Sequence, residues 1–231
     1  MSDLIYRYII KYFRVDSYQC GHKALYFFFK RFTDIVVSFT GLVLLIPVFL
    51  LISLIIKVTS RGPVFFKQLR AGKNSRYFYI YKFRTMIKSP FIKDAVTSRD
   101  DKRITRPGRI LRKYKLDELP QLINVLRGEM SLVGPRPEVP KFVNQNPEFK
   151  LLLQVKPGIT SPASVNFYNE EEILQNVKKN RINIEDYYKS ILLPEKNKYR
   201  IELYRKYEYV SDLLTIANTI FLLKNKKKIS N

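Results

Sequence analysis

A single cysteine, Cys20, a single histidine, His22, and no tryptophan occur in a chain of 231 residues. One thiol cannot form an internal disulfide, and one histidine without a cysteine cluster leaves no ligand set for zinc. The expected environment is reducing. Acidic residues are scarce as well, Asp and Glu numbering 20 against 42 Lys and Arg for a formal net charge of +22. Such a chain is drawn to polyanions, whether nucleic acid, anionic head groups or phosphorylated substrates. Neither an internal repeat nor a long low-complexity segment is found, so no repeat architecture is expected. The length suits one domain with a full core, or a smaller domain plus an attachment segment, and makes two large domains unexpected. Sixteen Tyr and sixteen Phe suit membrane interfaces and ordinary cores alike.

Charge is missing altogether from Ile35 to Ile56, 22 residues that as a helix are long enough for roughly 30 Å of hydrocarbon. A soluble core helix is rarely apolar all round. A cleavable signal peptide would be shorter in its apolar core and would end in a small-residue cleavage site, so the segment is expected to stay. Pro47 lies near its middle, where it removes a backbone hydrogen bond at about 3 kcal/mol. Lys23, Lys30 and Arg31 precede the segment and Lys57, Arg61, Lys67 and Arg70 follow it. The positive-inside tendency keeps both flanks in the cytoplasm, which a helix broken at Pro47 and returning to the same face satisfies and a straight span does not. A kinked ordinary span is the competing reading. Leu4, Ile5, Tyr8, Ile9, Tyr12 and Phe13 repeat at helical spacing with Arg7, Lys11 and Arg14 between them, as in a helix lying among head groups. An apolar stretch near the C-terminus runs into Lys224, Lys226, Lys227 and Lys228, a combination suited to anionic membrane lipid.

Beyond Lys57 the composition becomes mixed, with Gly62-Pro63 marking a turn. Val64-Phe-Phe and Tyr77 to Phe83, separated by Ala71-Gly-Lys-Asn-Ser, predict a two-stranded hairpin. Residues 88–108 are rich in turn formers, including Pro90, Ser98, Pro107 and Gly108, and are expected to be largely a loop that could gate a site. Leu119, Leu122, Ile123 and Leu126 define a short helix starting near Asp117 and stopping at Gly128.

Asp117 and Glu118 stand at that helix start, in a chain neighbourhood that also supplies Arg109, Arg112, Lys113, Arg127 and Arg136. One account makes Asp117 an N-cap and Glu118 a favoured first-turn acid. The other uses the same helix end to attract phosphate and keep Asp117 ionised, one acid attacking phosphorus while its neighbour holds a metal. Adjacent carboxylates cannot flank a scissile glycosidic bond, so a two-acid hydrolase is a poor fit, whereas carboxylate and phosphate oxygens suit Mg²⁺. Gly134-Pro135-Arg136-Pro137 cannot be regular helix or central strand and holds Arg136 on a stiff loop.

Five ordered motifs give these residues a context. Gly62 to Arg70 with Gly72 is one, and Tyr81-Lys82-Phe83-Arg84-Thr85-Met86 the next. Arg103-Ile-Thr105, Gly108-Arg109 and Leu111-Arg112 then lead into Leu116-Asp117-Glu118-Leu-Pro-Gln-Leu122. Ser131-Leu-Val-Gly134-Pro135-Arg136-Pro137 and Lys156-Pro-Gly-Ile-Thr160 complete the order. The chain resembles the bacterial sugar transferases, small monotopic polyprenyl-phosphate phosphoglycosyl transferases, over about residues 30 to 160. The resemblance implies that Asp117 attacks the β-phosphate of a UDP-sugar, releases UMP, and hands the phosphosugar to polyprenyl (undecaprenyl) phosphate. It implies Glu118 as a ligand of Mg²⁺, and Lys82, Arg112 and Arg136 with Pro135 and Pro137 as the substrate-binding positions. It also matches the proline-broken segment to a re-entrant helix.

The expected architecture is α+β, mainly helical with a short β-hairpin: a monotopic membrane protein with a re-entrant helix and amphipathic interfacial helices. Residues 1–30 form the N-terminal amphipathic segment, 31–60 the membrane helix and 61–231 a cytosolic catalytic domain. The inferred place is the cytoplasmic face of the bacterial inner membrane, with no nucleic-acid partner and a homo-oligomer left open. Many relatives follow the Lys-Pro-Gly-Ile-Thr motif with Gly-Trp-Ala-Gln-Val-Asn-Gly-Arg, whereas this chain has Ser161 to Asn169, so sugar contacts do not transfer there. An acidic position near the family's C-terminal Tyr-Tyr segment has four candidates here, Asp186, Glu202, Glu208 and Asp212. The competing class is a non-catalytic basic membrane scaffold in which the acid pair is only a helix cap.

Overall fold

The structure, a computed structural model, describes residues 20–87, 100–144, 149–206 and 209–229. The expected amphipathic stretch from Leu4 to Phe13 lies outside the described residues, as does most of the expected gating loop.

Helices α1 (Cys20–Leu44) and α2 (Ile46–Thr59) meet at a bend of 60°. No single described helix is long and apolar enough to cross a membrane, but this bent pair passes that test of length and composition together. The break falls at Leu45, and Pro47 occupies the first turn of α2 instead of the bend. That position follows from proline chemistry: Pro47 has no N–H to donate, and the ring disfavours helical backbone just before it. One side of the pair leaves Phe28, Phe32, Phe39, Leu44, Leu50, Leu54 and Val58 exposed. The other side is bound to the body of the protein. Asp34, buried on α1, accepts from Ser131 Oγ at 3.1 Å and the Leu132 amide at 2.9 Å.

Strands β1 (Phe65–Ala71) and β2 (Tyr77–Phe83) pair antiparallel from Phe65↔Phe83 to Ala71↔Tyr77, the hairpin that the aromatic and β-branched residues predict. Helix α3 (Arg106–Lys113) then begins inside the segment expected as loop. Thr105 caps it by accepting from the Gly108 amide at 3.0 Å, and Pro107 fits its first turn, where an amide has no partner to lose. A 3-10 turn at Leu116–Glu118 leads to α4 (Gln121–Leu126). Strands β3 (Ser131–Val133) and β4 (Gly158–Thr160) form a short parallel pair, with α5 (Pro140–Val143) and α6 (Phe149–Leu152) between them. The remaining helices are α7 (Pro162–Asn166), α8 (Glu170–Lys179), α9 (Ile184–Tyr187), α10 (Leu193–Lys206) and α11 (Tyr209–Ile229). The fold is thus mainly helical with one hairpin and one small parallel pair.

Three apolar clusters hold these elements. Ile52 and Ile56 of α2 pack with Phe83 and Leu111, and Leu116 and Leu119 join them. Phe78 and Ile80 of β2 pack with Leu122 and Val125 of α4 and with Met130, Leu132 and Val133. Val139, Phe142, Leu174, Tyr188, Leu192 and Leu193 centre the third. Leu116 and Leu119 bracket Asp117 and Glu118, so the acid pair is fixed by burial of its neighbours.

Candidate active site

Lys115 reverses the chain between α3 and the 3-10 turn with a left-handed backbone, φ 57°, which costs a non-glycine residue roughly 1–2 kcal/mol. The turn that follows carries Asp117 and Glu118 into a cleft of about 2050 Å³. Asp117 is not an N-cap. The residue before the turn is Lys115, and α4 is entered at Pro120 without a side-chain cap. Asp117 is 8% exposed and its Oδ1 has no hydrogen-bond partner. Burial, then the adjacent Glu118 charge, push its carboxyl above the usual range against the pull of Lys82, Lys115 and Arg112. The helix end thus does not bring this carboxyl below the ordinary range: one short turn does not offset burial beside another acid.

Glu118 has the opposite environment. Lys82 Nζ donates to its Oε1 at 2.7 Å and Arg136 Nη2 to the same atom at 2.9 Å. Burial raises its pKa, but Arg136, Lys82 and Lys115 outweigh that and hold it well below the ordinary value. Lys82 is itself pulled down by burial, while Glu118 draws the Arg136 guanidinium up. Two of the three basic positions assigned to substrate thus grip the second acid. The third, Arg112, reaches Glu171 Oε1 at 2.6 and 3.1 Å across the cleft.

Each of these side chains is placed by a separate element. Lys82 projects from β2 opposite Phe66, and β2 is locked to α4 by Asn124, which accepts from the Tyr81 amide and donates to the Tyr79 carbonyl. Arg136 stands on the loop after β3. Gly158 lets that loop close: a Cβ there would come within 2.0 Å of the Gly134 nitrogen. Pro135 and Pro137 are outside the cleft lining and shape the loop through their carbonyls, which accept from the Gly158 amide and from Arg70. Arg127, read near the acids in sequence, instead donates to the Tyr81 hydroxyl at 2.8 Å, away from the cleft.

Behind Arg136 lies a buried ionic network that sequence reasoning missed. Glu138 Oε1 accepts from Arg200 Nη2 at 2.7 Å and from the Tyr188 hydroxyl at 3.0 Å, and Arg70 approaches Oε2 at 4.0 Å. Lys196 pairs with Glu170 at 2.8 Å. Burial works against the Glu138 charge, yet Arg200, Lys196 and Arg70 bring its pKa down to about 2. Glu138 directly follows the Pro-Arg-Pro motif, the one local signal of this network, and its partners Tyr188, Arg200 and Arg70 lie 50 or more residues away in sequence. Of the four C-terminal acidic candidates, Asp186 is exposed and Asp212 pairs with Lys30 on α1. The side chains of Glu202 and Glu208 lie outside the described residues. Besides Asp117 and Glu118, the acids that line the cleft are Asp100, Glu138, Glu170, Glu171 and Glu172, the last three directly after the segment that departs from the family pattern.

Among the described residues no group of three or more His, Cys, Asp or Glu converges as a metal cage. Mg²⁺ does not require one, since it takes one or two carboxylates plus phosphates and water. The oxygens fit that use: Asp117 Oδ1 is unpartnered, and Glu118 Oε2 receives only a long contact from Arg136 at 3.4 Å.

Residues 25–225 match the bacterial sugar transferase family. The chain belongs to that family. It is 47% identical over 146 residues to an undecaprenyl-phosphate glucose phosphotransferase of Komagataeibacter xylinus, covering 59% of this chain and 27% of the relative. It is 44% identical over 146 residues to a UDP-N-acetylgalactosamine-undecaprenyl-phosphate N-acetylgalactosaminephosphotransferase of Aeromonas hydrophila, covering 61% and 34%. A UDP-glucose:undecaprenyl-phosphate glucose-1-phosphate transferase of Caulobacter vibrioides is 45% identical over 141 residues, covering 59% and 53%. The matches span about a quarter to a half of these relatives' own lengths.

Proposed function

We propose that the protein transfers a sugar 1-phosphate from a UDP-sugar to undecaprenyl phosphate through a covalent intermediate on Asp117, as the first membrane step of a bacterial glycan. The observation that carries this is Asp117 itself, a buried carboxylate with an unpartnered oxygen in a cleft lined by Arg70, Lys82, Arg112 and Arg136. A helix cap would have its oxygen occupied. In the first half-reaction an Asp117 oxygen forms a bond to the β-phosphorus, the bond to the α-phosphate oxygen breaks, and UMP departs with that electron pair. In the second, an oxygen of undecaprenyl phosphate attacks the same phosphorus and the Asp117 carboxylate leaves.

Ionisation of Asp117 precedes attack, and burial opposes it, so the incoming diphosphate must draw cations toward the acid. Arg136 and Lys82 already stand at the neighbouring Glu118, holding it as an anion. Arg112, bound to Glu171, becomes a phosphate ligand by exchanging one anionic partner for another. Mg²⁺ would be held by Glu118 together with substrate phosphate oxygens, and would supply neutralisation of the charge that builds as nucleophile and diphosphate meet.

Undecaprenyl phosphate is a lipid, which gives the exposed apolar side of α1 and α2 a purpose. The 60° bend and basic flanks suit a pair that enters and leaves the cytoplasmic face of the inner membrane, a re-entrant and not a spanning path. Labelling of cysteines engineered on the two flanks should occur from the same side; opposite-side labelling rejects this placement. The sugar is not chosen by similarity, because glucose and N-acetylgalactosamine transferases match at nearly equal identity.

Incubation with undecaprenyl phosphate and a panel of UDP-sugars should release UMP with one or a few of them, and Asp117→Asn should release none and form no adduct. UMP release by folded Asp117→Asn would remove the nucleophile assignment. Chelation of divalent metal should stop turnover; persistence would remove the role given to Glu118.

A further inference from the structure

A second cavity, of about 220 Å³, lies against Gly134 and Pro135 and is walled by α1, the hairpin turn and the stretch before β4. It is smaller than the roughly 300–1,000 Å³ of sites that enclose drug-sized ligands, so a nucleotide sugar is excluded and a phosphate group with a few attached atoms is not. Its charges do not balance. Lys30 is paired with Asp212 at 2.5 Å, and Arg200 with Glu138. The Asp34 carboxylate takes neutral donors, Ser131 Oγ and the Leu132 amide. The Arg31 guanidinium donates only to the carbonyls of Val125 and Leu126, at 2.7 and 2.9 Å. Lys156 and Lys73 have no hydrogen-bond or ion-pair partner among the described residues, Lys73 resting over the Phe27 ring.

Two of these cations, Arg31 and Lys156, also converge. A methyl group built on Gly128 would stand 3.5 Å from both Arg31 Nη2 and Lys156 Nζ. Burial first, then the Arg31 charge, lower the Lys156 pKa against the opposing pull of Asp34, as expected of an ammonium sharing space with other cations. Arg31 and Lys156 are half-buried and Lys73 stands exposed at the rim, and the single lining carboxylate not already paired with a cation, Asp34, offsets only part of their three charges, an arrangement that an anion completes.

We infer that this cavity binds a phosphate group through Arg31, Lys73 and Lys156, and that the phosphate belongs to the head group of an anionic phospholipid. The phosphate chemistry follows from the cations. The lipid source rests on the membrane reading above and on position, since α1 lines the cavity with one side and exposes Phe28, Phe29 and Phe32 on another. Free phosphate is the other source of the same chemistry.

The test uses the full chain in mild detergent, titrated separately with dihexanoyl phosphatidylglycerol, dihexanoyl phosphatidylcholine and inorganic phosphate, with heat of binding as the readout. Lys73→Gln/Lys156→Gln is compared with Lys178→Gln/Lys198→Gln, which removes equal charge from exposed sites. Loss of charged hydrogen bonds at about 1.5–3 kcal/mol each predicts that phosphatidylglycerol affinity falls about tenfold or more in the cavity variant, and under about twofold in the control. Lys156→Arg should keep most of the affinity. Equal sensitivity with inorganic phosphate would overturn the lipid source and leave the phosphate site standing. Affinities for all three probes unchanged in Lys73→Gln/Lys156→Gln would overturn the site. UMP release from the same preparation keeps the two readings apart: release with cavity-independent binding refutes only the cavity, and cavity-dependent binding without release refutes only the reaction.

Discussion

Replacing Glu138 by Gln removes the one carboxylate that, among the described residues, pairs with Arg200, whose side chain is fully buried. Breaking a buried ion pair from one side leaves an uncompensated charge and costs about 3–5 kcal/mol. The pKa gives an independent figure. Glu138 falls from 4.5 to about 2, which at roughly 1.4 kcal/mol per pH unit is worth about 3 kcal/mol. For a chain of this size each kcal/mol moves the melting temperature by about 2–4 °C, so Glu138→Gln should melt some 6–20 °C below the parent. Melting is followed by far-ultraviolet circular dichroism on protein in mild detergent. The sign of the pH dependence is fixed: a depressed carboxylate pKa gives stability present above about 4.5 and lost as pH falls toward about 2. The gap between parent and variant should thus be full at pH 7 and close over that acid window. Other carboxylates titrate in both proteins and cancel in the difference. Glu138→Gln/Arg200→Met, which removes both charges, should recover much of the loss. A gap under about 1 °C at pH 7, or one unchanged across the acid window, would refute the assignment of Glu138 as the hub of this network.

Asp117→Asn should melt higher than the parent at pH 7, by a few °C for each kcal/mol recovered, because a raised carboxyl pKa favours the folded state only below the ordinary value and is a liability above it. A lower melting temperature, measured by the same method, would contradict the burial argument. The rate of UMP release at limiting UDP-sugar should show an acid limb with a midpoint above the ordinary Asp value of 3.8, since attack needs the ionised form. A flat profile down to that value would place ionisation outside the rate law. Gly158→Ala should cost about 3 kcal/mol or more, its Cβ meeting the Gly134 backbone at 2.0 Å, and urea denaturation at unchanged midpoint would refute the close approach.

What could be read from the chain was whatever is written locally. The hairpin follows from the aromatic and β-branched richness of Val64-Phe-Phe and Tyr77 to Phe83 around a turn-forming stretch, though its first strand runs on to Ala71, and the acid pair follows from its own motif. Charge placement across the fold was not local. Lys82 and Arg136, 54 residues apart in number, meet on one Glu118 oxygen, and nothing near either reveals that they clamp an acid before they meet a phosphate. The start of α3 was legible in the Thr105 cap and Pro107, but composition pointed the other way, since the same Pro and Gly also serve turns. Pro47 marked the bend correctly to within two residues and not its residue, because the ring acts on the backbone before it.

The division of the α1 helix has a mechanistic consequence. Uncharged sequence begins at Ile35, yet the helix runs unbroken from Cys20, and Tyr26, Lys30, Arg31 and Asp34 are bonded into the body. The apolar pair is therefore not hung from the catalytic part by a flexible link. Its second helix contributes Ile52 and Ile56 to the same cluster that seats Leu116 and Leu119 around Asp117. Under the proposed reaction, a lipid phosphate brought in along α2 would meet Asp117 through a packed contact, at a depth set by the fold. Loosening that cluster, for example by Ile56→Ala at about 2–5 kcal/mol, should then impair the second half-reaction more than the first. Equal losses in UMP release and lipid product would argue that the apolar pair serves only as an anchor.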